Sequence, residues 1–401
     1  MSTLNALATI GASSKCLLKS SISTKSSAVV LTNFFRNYAT SQPEVGGICI
    51  ANDEVKAFIE RSMTAVGTRP AHATALAENL TMADYRGHFS HGLNRLEMYV
   101  KDIQSGITVS DKEPVILKES AATAHVDGSN LLGPIVGKFS MEIAIKKAKE
   151  AGVGFVSAKG SNHYGIAGFY SLMACEQGLL GMSFTNTSPL VLPTRGRKAC
   201  LGTNPLSLAA PGKGVDTFVL DMATSSVALG KIELNAVKKI KIPRGWGADG
   251  TGHVTEDPDL CIKEGGLLPL GGAEETSGYK GYGLAMLVEI FCGILSGGEF
   301  GPRIRKWKET NRVANLGQCY IAINPDNFAP GFTDRMQILM NLCRQSDLAE
   351  GEKEILIAGD PERKHINKCD RAGGITYHPN VIALLDVMAD KLKIERIVVK
   401  K

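Results

Sequence analysis

The chain has 401 residues, of which 44% are hydrophobic, and it carries a formal net charge of +5. It contains no apolar run of the roughly 18 residues that a membrane-spanning helix requires, so we expect a globular chain with no membrane partner. The nine cysteines are scattered and form no Cys-x-x-Cys pair, which favours free thiols in a reducing compartment over a disulfide framework.

Residues 1–43 differ in composition from the rest of the chain. They contain four cations, many Ser and Thr residues, and no Asp or Glu. The four cations are Lys15, Lys19, Lys25 and Arg36. This composition is typical of a transit peptide and predicts a location in the mitochondrial matrix; a plain disordered tail is the alternative. Without these charges the net charge falls from +5 to about +1, so the charge gives no support to a nucleic-acid partner.

The elements after this leader alternate between helices and strands. Helical spacing of apolar residues predicts a helical run over Asp53 to Tyr85 and another over Leu96 to Ile103. From about Pro114 we expect strands at 114–117, 122–126, 154–157, 180–185, 206–210 and 217–220. Further helices are expected at 135–150, 167–177, 284–295, 326–342 and 379–392, with a long glycine-rich loop over 245–283. This alternation predicts an α/β fold with a mixed sheet and helices packed on it.

The junction from Arg86 to Arg95 gathers two imidazoles, a hydroxyl and two guanidiniums in ten residues. A lone histidine is usually structural, but His91 stands beside Ser90 and Gly92 and one helical turn before Arg95. An imidazole can transfer a proton, and an arginine can bind a carboxylate through two hydrogen bonds. The glycine is expected to let a ligand approach closely. His88 and His91 could instead share a metal, although no usual ligand pattern accompanies them.

Other polar residues follow predicted strands, where binding sites commonly lie. His163 falls in a polar loop, where the alternative is a helix cap. Thr203 and Asn204 suit either a turn or neutral hydrogen bonding to a ligand. Asp221 ends a strand and could cap a helix or orient a histidine. Lys280 stands among glycines near the start of a helix, where an anionic ligand or simple solvent exposure would explain it.

The usual dinucleotide motif, a strand followed by G-x-G-x-x-G and a helix, is missing. The nearest matches, at Gly152–Gly154 and Gly281–Gly283, lack the third glycine, and no Walker A pattern occurs. A standard Rossmann domain is therefore disfavoured, while other ways of binding a dinucleotide remain open.

Five motifs occur together and in chain order, and as a set they are far more specific than any one of them. They are Arg86-Gly87-His88-x-Ser90-His91-Gly92-x-x-Arg95, Ser161-Asn162-His163-Tyr164-Gly165, Leu201-Gly202-Thr203-Asn204-Pro205, Asp221-Met222-Ala223-Thr224 and Tyr279-Lys280-Gly281-Tyr282-Gly283-Leu284. Over about Asp53 to Leu392 the chain resembles the type-2 malate/L-lactate dehydrogenase family, whose relatives include ureidoglycolate dehydrogenase and L-sulfolactate dehydrogenase.

The resemblance implies an NAD-dependent homodimer, with NADP possible, whose cofactor domain is not of the Rossmann type. It implies a helical domain built from residues 44–112 and 365–401, beside an α/β cofactor- and substrate-binding domain over 113–364. The expected substrate is a small 2-hydroxy or 2-oxo acid, with malate and oxaloacetate leading, and no metal is expected.

The resemblance also implies roles for individual residues. His91 is similar to the proton donor and acceptor, with Ser90 and Asp221 as its supports, and His163 to a second histidine at the reacting centre. The residues expected to contact the substrate are Arg95, Tyr99, Thr203 and Asn204. The residues expected to contact the cofactor are Ser188, Asp221, Met222, Ala223, Lys280, Gly359, Asp360 and Pro361.

One departure from the family pattern leaves the substrate open. Pro193-Thr194-Arg195-Gly196 stands where the family more often has an aromatic residue followed by paired glycines, so Arg195 could add a cation near the site. Two alternatives therefore stay beside the hydroxy-acid hypothesis. One is an NAD(P)H-dependent reductase of a cyclic imine carboxylate; the other is a metal-dependent hydrolase that uses His88, His91 and His163.

Overall fold

The computed structural model of the protein describes residues 46–306, 309 and 311–399. The predicted leader, residues 1–43, lies outside the described residues. The helices are α1 (Asn52–Thr64), α2 (Pro70–Tyr85), α3 (Leu96–Gln104), α4 (Gly133–Ala151), α5 (Ala167–Cys175), α6 (Leu229–Lys238), α7 (Pro258–Lys263), α8 (Gly278–Glu289), α9 (Phe332–Arg344), α10 (Asp360–Ala372) and α11 (Pro379–Leu392). The strands are β1 (Ile48–Ile50), β2 (Val115–Glu119), β3 (Thr123–Asp127), β4 (Val153–Ser161), β5 (Leu180–Thr185), β6 (Leu206–Pro211), β7 (Thr217–Met222), β8 (Gly247–Ala248), β9 (Val254–Thr255), β10 (Gly266–Leu267), β11 (Leu316–Ile323) and β12 (Ile375–Tyr377).

The main sheet has seven strands in the order β2-β3-β4-β11-β5-β6-β7. Strands β3 and β4 run parallel, and every other neighbouring pair runs antiparallel. A parallel pair needs a crossover between its strands, which α4 supplies. The predicted mixed-sheet α/β fold is therefore confirmed.

Strand β11 lies at the centre of this sheet and packs on both faces. Its residues Tyr320 and Ala322 belong to the largest core cluster, together with residues of α4 and α5. The alternate residues Cys319 and Ile321 pack on the other side against Val288 of α8 and its neighbours. The period-2 alternation of a strand thus separates the two layers of helices.

The two ends of the described chain meet beside this sheet. Strand β1 pairs antiparallel with β12, with Ile48 opposite Tyr377. Phe58 of α1, Leu76 of α2 and Leu385 of α11 belong to the same core cluster as α4 and α5. The helices near both chain ends therefore share one continuous core with the main sheet, and this packing fixes the α2–α3 junction against it.

Three expected segments differ in the structure. The single helical run over Asp53 to Tyr85 is two helices, because Gly67 adopts a φ of +88° and Pro70 starts α2. The expected helix over 326–342 begins only at Phe332, after Gly331. The glycine-rich segment 245–283 is not a long loop, since it contains α7 and a small three-stranded sheet of β10, β8 and β9.

Outside the glycine-rich segment, five further elements were not expected from the sequence, namely β1, β11, β12, α6 and α10. Strand β11 reads Leu-Gly-Gln-Cys-Tyr-Ile-Ala-Ile and is buried on both faces, so it lacks the polar alternation of a half-exposed strand. Within the described part of the chain, no helix has both the length and the apolar character needed to cross a membrane.

Candidate active site

The α2–α3 junction holds His91 in a defined orientation. Helix α2 ends at Tyr85, Gly87 turns the chain with a φ of +88°, and a short 3₁₀ turn over Leu93–Arg95 leads into α3. The Oγ of Ser90 lies 2.8 Å from Nδ1 of His91. With Nδ1–H donating to Ser90, the lone pair on Nε2 is available to accept a proton.

His163 lies against His91 after the end of β4. The two imidazole rings stack with their centroids 5.6 Å apart and an angle of 21° between the planes. The hydroxyl of Tyr99 is 2.6 Å from Nδ1 of His163, and it also donates to the carbonyl oxygen of that residue at 3.3 Å. The structure thus brings together His91, His163 and Tyr99, which are far apart in the sequence.

Arg95 supplies the cation of this cluster. Its Nε donates to the carbonyl oxygen of Ser90 at 2.6 Å, which ties the guanidinium to the turn that carries His91. Arg95 and Tyr99 are four residues apart across the start of α3 and share one face. A guanidinium beside two imidazoles can bind the carboxylate of a substrate at the point where a proton is transferred.

Both imidazoles are neutral in this environment. Burial, together with the neighbouring Arg95 and His88, lowers the pKa of His91 to about 3. Burial, followed by the neighbouring His91 and Arg95, lowers the pKa of His163 well below its ordinary value. A neutral histidine can act as a base at neutral pH, and two stacked rings beside a cation cannot both become charged.

Asp221 contacts the start of a neighbouring helix. Its carboxylate accepts a hydrogen bond of 2.7 Å from the backbone N–H of Gly168, in the first turn of α5. The cationic groups that act on its pKa are His88 and Arg86, while burial has the larger effect and raises it. The carboxylate at the end of β7 thus caps the neighbouring helix, which is one of the two expected roles, while Ser90 is the partner of His91 Nδ1. The expected support of His91 by Asp221 stays a prediction.

Gly92 has a packing role that was not expected. A Cβ atom at this position would lie 1.9 Å from Oδ1 of Asp84, a fully buried carboxylate in the last turn of α2. The glycine therefore makes room for Asp84, and its expected role in the approach of a ligand stays a prediction. Asp84 was not among the residues predicted from the sequence, and its only sequence signal was a charged residue in an otherwise apolar helix end.

The Thr203–Asn204 turn is joined to two neighbouring segments. Asn204 accepts a hydrogen bond from the N–H of Thr187 at 3.1 Å and donates one to the carbonyl oxygen of Ala285 at 3.1 Å. The Oγ of Thr203 lies 3.4 Å from that of Thr187. These contacts give Asn204 a role in holding α8 and two loops together; its expected contact with substrate stays a prediction.

The residues expected to contact the cofactor lie at helix starts and strand ends. Met222 is the last residue of β7, and Ala223 follows it. The Gly359–Pro361 turn starts α10. It is joined to β7 by a hydrogen bond of 3.0 Å from the N–H of Val219 to the carbonyl oxygen of Ala358. Lys280 lies exposed in the first turn of α8. The Oγ of Ser188 donates to the carbonyl oxygen of Arg305 at 2.8 Å.

This donor set fits an anionic dinucleotide. Two helices begin here, α8 at Gly278 and α10 at Asp360, and a helix start favours negative charge. Lys280 adds a positive charge in the first turn of α8. The negative charge of Asp360 at the other is compensated, because Arg344 and Arg363 both form ion pairs with it and lower its pKa. Its carboxylate also accepts from the N–H of Ile357 at 3.0 Å, so Asp360 shapes the turn.

Arg195 and His88 have partners that explain them without a substrate or a metal. Arg195 forms two hydrogen bonds with the carboxylate of Glu274, at 2.8 and 2.6 Å, and its side chain is 80% exposed. Nε2 of His88 lies 3.4 Å from Oε1 of Glu362 on α10. No group of three or more His, Cys, Asp or Glu residues among those described could hold a metal ion, so the hydrolase alternative gains no support.

Comparison with known proteins decides the family. The sequence profile described as malate/L-lactate dehydrogenase matches residues 50–386. The chain belongs to this family. It is therefore an NAD(P)-dependent dehydrogenase, and the recognition drawn from the five motifs is confirmed.

Individual relatives agree with the family assignment. The chain is 43% identical to a malate dehydrogenase from Pyrococcus abyssi, over 78% of this chain and 86% of the relative. A malate dehydrogenase structure from Pyrococcus horikoshii OT3 superposes with a TM-score of 0.81 and 37% identity, covering 88% of this chain and 98% of that one. A Δ1-piperideine-2-carboxylate reductase from Pseudomonas syringae gives 0.75 and 29%, covering 85% and 99%.

The buried His91 makes stability depend on pH in a defined direction. Its pKa is lowered from 6.5 to about 3 in the folded protein, so between these values only the unfolded chain binds the proton. Stability should therefore fall as pH falls from 6.5, by roughly 1.4 kcal/mol per pH unit for this group. Urea unfolding of wild type and His91→Gln between pH 4 and 6.5 measures this slope.

The free energy of unfolding of His91→Gln should depend less steeply on pH than that of the wild type. Ser62→Ala is the matched control, because it removes a buried hydrogen bond of 2.7 Å to Phe58 but no titrating group. That control should lose stability by a constant amount over the same pH range. Equal slopes for wild type and His91→Gln would show that His91 is not held neutral.

Proposed function

We propose that the chain interconverts a 2-hydroxy acid and its 2-oxo acid with NAD(P), and that the acid is malate with oxaloacetate as its product. The observation that carries the proposal is the placement of Arg95 beside the stacked, neutral His91 and His163. One cluster then contains an anchor for a carboxylate and an acceptor for a hydroxyl proton. Several relatives named malate dehydrogenase support malate as the acid.

The cofactor supplies the chemistry that no side chain can provide. When bound, NAD(P) would supply the hydride acceptor for oxidation of the acid at C2 and the hydride donor for the reverse reaction. Lys280, the Asp221–Ala223 strand end, Ser188 and the Gly359–Pro361 turn would hold it. The helix N-termini at Lys280 and Gly359 suit its phosphate groups.

The side chains carry out the remaining steps of the reaction. Arg95 binds the carboxylate of the acid and so fixes the position of its C2 hydroxyl. Nε2 of His91 accepts the hydroxyl proton, while Ser90 holds Nδ1 and with it the ring orientation. In the reverse direction the protonated His91 returns this proton to the carbonyl oxygen.

Substrate binding itself prepares His91 for the proton. The positive charge of Arg95 is one of the causes that lower the pKa of His91. A bound carboxylate neutralises this charge, so the pKa of His91 rises when the substrate is present. The imidazole thus becomes a stronger base only in the complex, where a proton has to be accepted.

A second candidate is the reduction of a cyclic imine carboxylate. The solved structure of a Δ1-piperideine-2-carboxylate reductase is similar to this chain over 85% of this chain and 99% of the reductase. Arg95 would bind the carboxylate of such a substrate in the same way. In this reaction His91 would protonate the nitrogen of the imine rather than an oxygen.

A substrate panel separates the two candidates. Oxidation of NADH and of NADPH should be followed with oxaloacetate, pyruvate and Δ1-piperideine-2-carboxylate. We expect kcat/KM for oxaloacetate to exceed that for the imine by about 100-fold. Arg95→Lys keeps the charge but loses the planar fork, and should raise KM for the acid by about 10–100-fold.

Either of two outcomes would contradict the proposal. A higher kcat/KM for the imine than for oxaloacetate would favour the second candidate, the imine reductase, over the hydroxy-acid dehydrogenase. An unchanged KM in Arg95→Lys would show that the carboxylate is bound elsewhere. Lys263→Arg on α7 is a suitable control, because its side chain pairs with Asp259 at the surface and should leave both constants unchanged.

We also propose that the protein is a homodimer that associates through α8. Met286, Ile290 and Ile294 form an apolar stripe at i, i+4 and i+8 along this helix and the helical turn that continues it. They are 40%, 49% and 54% exposed. Exposed apolar stripes of this kind mark protein interfaces, and a second copy would bury this one.

Light scattering on the purified protein tests the dimer. Ile290→Asp places a charge in the middle of the stripe and should convert the dimer to a monomer at micromolar concentration. Ile338→Asp on α9, which changes an equally exposed residue outside the stripe, should leave the dimer intact. If only Ile338→Asp dissociates the dimer, the interface lies on α9 and the proposal for α8 is wrong.

We propose further that residues 1–43 direct the protein to the mitochondrial matrix and are then removed. The support is compositional, since this segment has four cations and no acidic residue. Sequencing the N-terminus of the protein isolated from its own cells tests this. The mature chain should begin near Glu44, whereas retention of Met1 would contradict import with cleavage.

A further inference from the structure

The inference concerns Asp84, a carboxylate outside the set of residues that would touch the substrate. It lies in the last turn of α2 and is fully buried. Its Oδ2 accepts two hydrogen bonds of 2.8 Å, one from the backbone N–H of Leu93 and one from the hydroxyl of Tyr377. Leu93 begins the 3₁₀ turn that follows His91 and Gly92 and ends at Arg95.

The neighbouring Gly92 shows how tightly this carboxylate packs against the turn. A Cβ atom at Gly92 would lie 1.9 Å from Oδ1 and 2.5 Å from Oδ2 of Asp84. Only a residue without a Cβ can occupy this position without displacing the carboxylate. Asp84 therefore contacts the two residues that directly follow His91.

Tyr377 connects the same contact to the C-terminal part of the chain. It lies in β12, and its ring packs edge-to-face on Phe89 with centroids 5.8 Å apart. Phe89 packs in the same way on His365 of α10 at 5.5 Å. The loop that carries His91 is thus held from α2 on one side and from β12 and α10 on the other.

We propose that Asp84 is a positioning residue, which holds the Gly92–Arg95 turn so that His91 and Arg95 face the same substrate. The inference rests on the proposed function. A carboxylate that accepts a backbone N–H fixes the turn directly, and an error of about 1 Å in such a turn can cost about 100-fold in rate. Asp84 is 0% exposed, and this burial raises its pKa to about 7.

Three substitutions separate positioning from simple loss of stability. Asp84→Ala removes the acceptor; Asp84→Asn keeps a carbonyl oxygen of the same size and position; and Tyr377→Phe removes one donor while its ring stays packed on Phe89. Leu80→Ala is the matched control, because it opens a cavity in the same helix at a fully buried residue but leaves the turn untouched.

For each variant, kcat and KM for the acid, the Kd of NADH from its fluorescence and the thermal midpoint should be measured. We expect Asp84→Ala to lower kcat/KM by about 10–100-fold, with both kcat and KM affected and the Kd of NADH within about twofold. Tyr377→Phe should lose about 3–10-fold, and Asp84→Asn should stay within about threefold of the wild type. Leu80→Ala should lower the thermal midpoint as far as Asp84→Ala does. At assay temperatures below that midpoint, it should keep the kcat/KM of the wild type.

Other results would overturn the inference. If Leu80→Ala and Asp84→Ala lose activity in proportion to their thermal midpoints, Asp84 only contributes stability. If Asp84→Asn is as impaired as Asp84→Ala while the ring of Tyr377 stays packed, the accepted hydrogen bonds do not set the position of the turn. These two results differ from a failure of the proposed function. In that case the wild type itself would show no oxidation of NADH with any of the acids.

Discussion

The burial of two neutral imidazoles beside one guanidinium is the constraint on which the rest of the site depends. His91 and His163 stack at 5.6 Å, and Arg95 is tied to the turn that carries His91. Burial and the neighbouring positive charge lower the pKa of both histidines, so both are neutral in the folded protein. In the proposed reaction the same charge would bind the carboxylate of the substrate, which would reverse part of that effect. Anion binding and proton transfer would then be coupled through a single interaction.

The fold brings these groups together from two unrelated segments. His91 lies on the junction between α2 and α3, whereas His163 follows β4, the strand next to the centre of the main sheet. One continuous core joins the terminal helices to the sheet, which fixes the distance between the two segments. The buried carboxylate of Asp84 and the hydroxyl of Tyr377 add a local restraint. The functional geometry therefore depends on tertiary packing, and only its components are visible locally.

Local signals predicted the elements whose patterns are unambiguous. Strand β5 and helix α11 lie where the spacing of their apolar residues placed them, at 180–185 and 379–392. Strand β11 was missed because burial on both faces removes the alternation, although apolar and aromatic residues between Asn315 and Asn324-Pro325 could have indicated it. At the site, motif resemblance predicted His91, His163 and Arg95, which the structure brings into one cluster. It could not show that Asp221 caps α5 or that Gly92 packs on Asp84, because both contacts join residues that are close only in the fold.

The role of His91 as the group that transfers the proton is the central claim, and kinetics of His91→Gln test it most directly, with His163→Gln as its counterpart. The account predicts that His91→Gln lowers kcat by about 10²- to 10⁴-fold while NADH still binds with its wild-type Kd. His163→Gln should lose less, because it removes the stacking partner and not the proton acceptor. Full kcat in His91→Gln with bound NADH would contradict the account, and a larger loss in His163→Gln would transfer the role to that residue.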